Sequence, residues 1–170
     1  MPPLSATHTD PILILTTGGT IDKAYFDDLS RYQVVPSIVR KLLQVARVEH
    51  PFRVVRVLRK DSLHLDDHDR LKIRSRVISA QAARIIITHG TDTMTHTARA
   101  LSRIPGKTIV LTGALAPARF AESDAVFNLG MAFATAQVAP PGVYITMNGS
   151  VFPALGVVKD RAKGAFVPKG

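Results

Sequence analysis

The stretch ILILTTGGTID, Ile12 to Asp22, carries an apolar run into two threonines, two glycines and a third threonine. A diglycine bend at the end of a buried strand can hold out one hydroxyl, that of Thr20, to a substrate. The same bend also reads as a plain turn, with Thr20 merely next in line. A threonine hydroxyl is a poor nucleophile until a base takes its proton. The chain offers no Ser/His/Asp pattern for that purpose, but it does offer threonine together with a lysine and an aspartate. A lysine in a desolvated pocket can serve as the base, an aspartate can orient it, and backbone N–H groups at glycine turns can hold a developing oxyanion. Taken singly, Asp92 in GTDT also suits a helix N-cap, and Lys159 also suits an ordinary exposed lysine.

What raises these residues above their neighbours is where they fall. Ligands of open parallel sheets bind beyond the carboxyl ends of the strands. TTGGT follows the first apolar run, KDS (60–62) the second, HGTDT the third, TGA (112–114) the fourth and MNGS the fifth. Together they outline one rim of hydroxyls, carboxylates and backbone N–H groups. TGGT is not G-x-G-x-x-G and no phosphate-loop pattern occurs, so neither nucleotide fingerprint is present. His64 and His68, four apart in HLDDH, lack a third metal ligand and read as a solvated helix start. His89 reads as a hydrogen-bonded histidine at a strand end.

The elements that must carry this rim alternate. PILILT, FRVVRVL, RIIIT, KTIVLTG and GVYITMNG read as strands. Between them lie helical patterns. Ser37 offers an N-cap to IVRKLLQVARV, with Ile38, Leu42, Val45 and Ala46 on one face. DDHDRLKIRSRVISAQAA carries Leu71, Arg74 and Ile78 at helical spacing, with Val77 and Ala82 beside them. TMTHTARALSR and AESDAVFNLGMAFATAQ read as further helices, and residues 22–36 as an irregular connection. This rhythm predicts an α/β fold: a mostly parallel central sheet with helices on both faces, a Rossmann-like three-layer sandwich in one domain over 1–170.

Composition narrows the class further. At 170 residues, 46% hydrophobic and 21% charged, the chain can bury a core without staples. The absence of cysteine removes disulfides, thiolate metal sites and cysteine nucleophiles. PILIL is too short to span a membrane, and no secretory pattern precedes it, which points to a cytoplasmic protein with no membrane partner. The net charge of +9 comes from scattered basic residues without aromatic interleaving, so specific nucleic-acid binding is not expected.

ILTTGGTI followed by IIITHGTDTM resembles the two signature segments of the L-asparaginase family of amidohydrolases. IVLTGALAP, FNL and VYITMNGSV also fall where that family has similar segments, and the likeness runs from about Pro11 to Phe166. The resemblance implies hydrolysis of L-asparagine to L-aspartate and ammonia, with no cofactor and no metal. It implies that Thr20 is the nucleophile, that Tyr25 orients Thr20 when a lid closes, and that Ser62 binds the substrate α-carboxylate. Asp92 would accept the α-ammonium, and Thr91, Lys159 and Asp92 would form a triad. Glutamine or another small amide is the alternative substrate, and a non-catalytic amino-acid or polyanion binding module the alternative class.

The resemblance also implies a homo-oligomer. Family members generally add a smaller C-terminal domain, which from a neighbouring protomer helps close the site. This chain is similar to the N-terminal domain alone. Losing charged contacts to the substrate ammonium would cost about 1.5–3 kcal/mol.

Overall fold

The computed structural model describes residues 10–170. Its central sheet grows from the apolar runs: β1 (Ile12–Gly18), β4 (Phe52–Lys60), β5 (Arg84–Thr88), β6 (Thr108–Thr112) and β7 (Gly142–Met147), with β8 (Ser150–Pro153) at one edge. The spatial order is β4-β1-β5-β6-β7-β8. The first five strands pair in parallel, and β8 returns antiparallel to β7. Successive side chains of a strand point to opposite faces, so a strand covered on both faces must be apolar throughout. That is why the centres of RIIIT and TIVLT are unbroken runs of Ile, Val and Leu.

Helices α1 (Val39–Val45), α2 (Asp67–Ser79), α3 (Met94–Leu101) and α4 (Ala125–Val138) divide between the faces. Leu13, Leu15, Ile85, Ile87, Ile109 and Leu111 pack with Ile73 and Val77 of α2 and with Met94, Ala98 and Leu101 of α3. Ile12, Ile14, Ile86 and Val110 pack with Val39 and Leu43 of α1 and with Leu129 and Phe133 of α4. The result is three layers, as the alternation predicts. Each fully buried Ile or Leu is worth about 1.5–3 kcal/mol, so these two cores hold the sheet firmly beneath the rim.

Several local expectations are corrected. Residues 22–36 are not irregular: β2 (Lys23–Phe26) and β3 (Arg31–Val34) form an antiparallel hairpin with Tyr25 opposite Tyr32. Helix α1 buries Val39 and Leu43, while Val45 is exposed. Ile38 and Ala46 are its caps, so helical spacing does not carry across them. Helix α2 turns inward Asp69, Ile73 and Val77 and leaves Leu71 and Ile78 exposed. A capping box between Asp66 and Asp69, and a 2.7 Å bond from Lys60 Nζ to Asp69, fix that rotation.

MNGS is a tight hairpin turn between β7 and β8, with Asn148 and Gly149 at φ 53 and 75. Two short strands, β9 (Val157–Asp160) and β10 (Ala165–Pro168), make a third hairpin beside the sheet. Among the described residues no helix is long and apolar enough to cross a membrane.

Candidate active site

From β1 the chain passes to β4 on one side and then to β5 on the other. The crevice between the carboxyl ends of β1 and β5 is therefore the switch point where an open α/β sheet binds its ligand. Two glycine turns meet there. Gly19, at φ 87, lies so close to Gly90 that a Cβ on it would stand 2.4 Å from Gly90 N. Gly18, at φ 105, is pressed similarly against Lys60, whose carbonyl accepts from Gly19 N–H at 3.0 Å. Only glycine fits either place. One residue past each contact stand Thr20, half-buried at the start of a 3-10 turn, and Thr91, buried.

The second loop brings the charged groups. Lys159 Nζ, on β9, donates to Thr91 Oγ1 at 2.8 Å and to Asp92 Oδ1 at 2.8 Å. Asp92 is not the N-cap of α3; that place belongs to Thr93, whose hydroxyl instead donates to Ser62 O at 2.8 Å. The pair is partly screened, with side-chain exposures of 17% for Lys159 and 31% for Asp92. Its value for the site is geometric, because it fixes the amine against both oxygens.

Ser62 opens a 3-10 turn after β4, and the Asp61 carboxylate caps that turn by accepting from Leu63 N–H. Burial opposes ionisation of Asp61, but Lys23 and the Leu63 N–H outweigh it and hold the carboxyl below its usual range. Ser62 Oγ is buried against Gly90, with no hydrogen-bond partner among the described residues. Asp22, just past Thr20, accepts from Ile38 N–H at 3.1 Å, and burial pushes its carboxyl up.

Thr91, Asp92 and Lys159 are thus in direct contact, Ser62 packs on the same turn, and Thr20 leaves the neighbouring turn. Tyr25 makes no hydrogen bond to any of them among the described residues. It is half-exposed on the hairpin, its ring 5.1 Å from that of Tyr32, which in turn lies 5.9 Å from Phe120. His64 and His68 join no cluster of three metal-ligating side chains among the described residues. A cavity of about 560 Å³ lies at the opposite, amino edge of the sheet between Arg53, Arg76 and Gln81. It holds none of the candidate residues.

Two further residues support the site, and the structure shows how. Asn148 Oδ1 accepts from Phe166 N–H at 2.8 Å and so ties the hairpin that carries Lys159 to the end of β7. The Asn-Gly pair in MNGS is a hairpin-turn signal, and that signal marks the place. His89 is the other. It is fully buried, and burial depresses its pKa from 6.5 to about 4.

As pH falls, the unfolded chain takes up this proton near 6.5 while the folded chain resists until about 4. Stability present above pH 6.5 is therefore lost as pH falls from 6.5 to 4, by about 2 kcal/mol at pH 5. Urea unfolding at pH 7.5 and pH 5 reads this directly. Equal stabilities would contradict it.

Residues 11–166 match the family described as "Asparaginase, N-terminal". The L-asparaginase of Thermococcus kodakarensis is 31% identical over 159 residues, 90% of this chain and 48% of that protein. A glutamyl-tRNA(Gln) amidotransferase component from Methanococcus vannielii is 31% identical over 153 residues, 82% of this chain and 34% of that protein. In structure, the thermostable L-asparaginase from Thermococcus kodakarensis superposes with a TM-score of 0.79 at 29% identity, covering 94% of this chain and 51% of the other. The chain thus spans about half the length of that asparaginase. The match begins just before β1 and ends inside β10, taking in every strand that borders the crevice, and the chain belongs to the asparaginase family.

Proposed function

We propose that this chain is an amidohydrolase that converts L-asparagine to L-aspartate and ammonia. The observation that carries the reading is Lys159 Nζ held 2.8 Å from both Thr91 Oγ1 and Asp92 Oδ1 beside the turn that bears Thr20. At rest the ammonium donates to both oxygens. Once it gives up a proton, its lone pair faces the Thr91 hydroxyl, and Asp92 fixes the amine's direction.

In this reading Thr20 Oγ1 attacks the side-chain amide carbon while the base takes its proton. Backbone N–H groups of the glycine turns hold the oxyanion. The base passes that proton to the amide nitrogen, which leaves as ammonia, and water then hydrolyses the acyl-enzyme, releasing aspartate and restoring the Thr20 hydroxyl. Asp92 receives the substrate ammonium. The buried, unpartnered Ser62 hydroxyl suits the α-carboxylate, because a buried donor without a partner is costly. In the same reading Tyr25 orients Thr20 when the β2–β3 hairpin closes over the crevice.

Work as a homo-oligomer in the cytoplasm on a small-molecule substrate belongs to the same proposal. Likeness to the glutaminase-asparaginase of Pseudomonas fluorescens, 29% identical over 158 residues, favours a second reading, in which glutamine or another small amide is cleaved. Ammonia release from asparagine and glutamine, assayed side by side with a Thr20→Ala control, separates the two. Faster release from asparagine is expected. Release from glutamine alone would replace the first reading with the second, and release from neither would remove the first reading and the glutamine form of the second.

A further inference from the structure

His89 precedes the Gly90–Thr91–Asp92 turn, and both its ring nitrogens are engaged. Nδ1 lies 2.7 Å from Gly90 O and Nε2 lies 2.8 Å from Thr97 Oγ1. A carbonyl oxygen can only accept, so Nδ1 carries the proton, and Nε2 of the neutral ring accepts from the Thr97 hydroxyl. This fixes one tautomer without reference to any substrate.

Gly90 O belongs to the peptide that joins Gly90 to Thr91. In a trans peptide the C=O and N–H point in opposite directions from one rigid plane. Holding the oxygen on the imidazole therefore sets the direction of Thr91 N–H and the place of the Thr91 Cα. Gly90 needs such a restraint. It has no side chain of its own, and it is wedged between Gly19 and Ser62, where a Cβ would stand 2.5 Å from the Ser62 hydroxyl. The carbonyl of His89 is itself gripped from behind, since a Cβ on Gly113 would stand 2.3 Å from it. The Thr91 N–H has no hydrogen-bond partner among the described residues.

We infer that His89 is a positioning residue, whose Nδ1–H orients the Gly90–Thr91 peptide and thereby places Thr91 against Lys159. The inference rests on the proposed amide hydrolysis for its kinetic consequence but not for its geometry.

Two substitutions divide the ring's contacts. The Nδ2 of His89→Asn falls near the place of Nδ1 and can still donate to Gly90 O. His89→Gln reaches toward Thr97 and leaves Gly90 O unheld. Expected is a kcat about 100-fold lower in His89→Gln with KM changed little, and a kcat within about fivefold of wild type in His89→Asn. The Thr91 cross peak in an amide NMR spectrum should move in the Gln variant and stay in place in the Asn variant.

Equal losses in both variants, or none in His89→Gln, would overturn the inference. Should neither variant fold, the wild-type imidazole decides: nitrogen shifts placing the proton on Nδ1 support the inference, and on Nε2 overturn it. A wild type that releases no ammonia removes the proposed function, while the tautomer and the Thr91 amide still test the role of His89.

Discussion

Lys159→Met is expected to lower kcat for the proposed amide hydrolysis about 100- to 10,000-fold, the range that loss of a positioned base produces. Methionine keeps most of the length and apolar stem of lysine and removes only the amine. Thr91 Oγ1 and Asp92 Oδ1 each lose a donor at 2.8 Å. The fold should tolerate this. The side chains of the pair are 17% and 31% exposed, between surface pairs worth about 1 kcal/mol or less and buried pairs whose broken halves cost about 3–5 kcal/mol, so a loss of about 1–3 kcal/mol is expected. Ammonia release by the purified variant, with a thermal melt beside it, reads both effects. A variant that keeps more than about a tenth of wild-type turnover would remove Lys159 from the base role.

The second large effect is steric. Gly19→Ala places a methyl 2.4 Å from Gly90 N and 2.5 Å from Gly90 Cα, both backbone atoms that cannot rotate aside. Its φ of 87 is also one that side-chain-bearing residues rarely adopt. Backbone strain and overpacking together should cost about 3–5 kcal/mol. The two turns must separate, so turnover should fall about 100-fold or more in whatever remains folded. Gly106→Ala is the control. Gly106 has φ 69 but open space around it, so the alanine there should cost only about 1 kcal/mol. Urea unfolding of the two variants compares clash plus strain with strain alone. Similar stabilities would mean that the Gly19–Gly90 contact is slack.

What the sequence makes legible follows from how local each signal is. RIIIT and TIVLT are apolar on both faces and could hardly be anything but central strands. Polar, glycine-bearing turns after such strands mark the carboxyl rim, and the crevice lies there. Helix rotation is harder to read. In α2 the inward face is set by Asp69 meeting Lys60, an ionic contact that hydrophobic spacing cannot register, so spacing puts Leu71 and Ile78 on the wrong side. The β2–β3 hairpin is hidden because Asp27, Asp28 and the polar residues around them mask two short strands whose pairing is their main stabilisation.

The meeting of Lys159 with Asp92 spans 67 residues, and no spacing rule predicts a contact at that separation. Only the family resemblance points to it. His89 looks like an ordinary strand-end histidine because nothing in HGTDT reveals that its ring folds back on the carbonyl of the next residue.

The Thr20 hydroxyl, unlike that of Thr91, has no hydrogen-bond partner among the described residues, as a group reserved for substrate would. Ammonia release from L-asparagine by wild type and by Thr20→Ala, at equal concentration and with matched melting temperatures, therefore tests the centre of the account. Release by the wild type that falls to background in the variant is the predicted result. A Thr20→Ala protein that makes ammonia at the wild-type rate would contradict it.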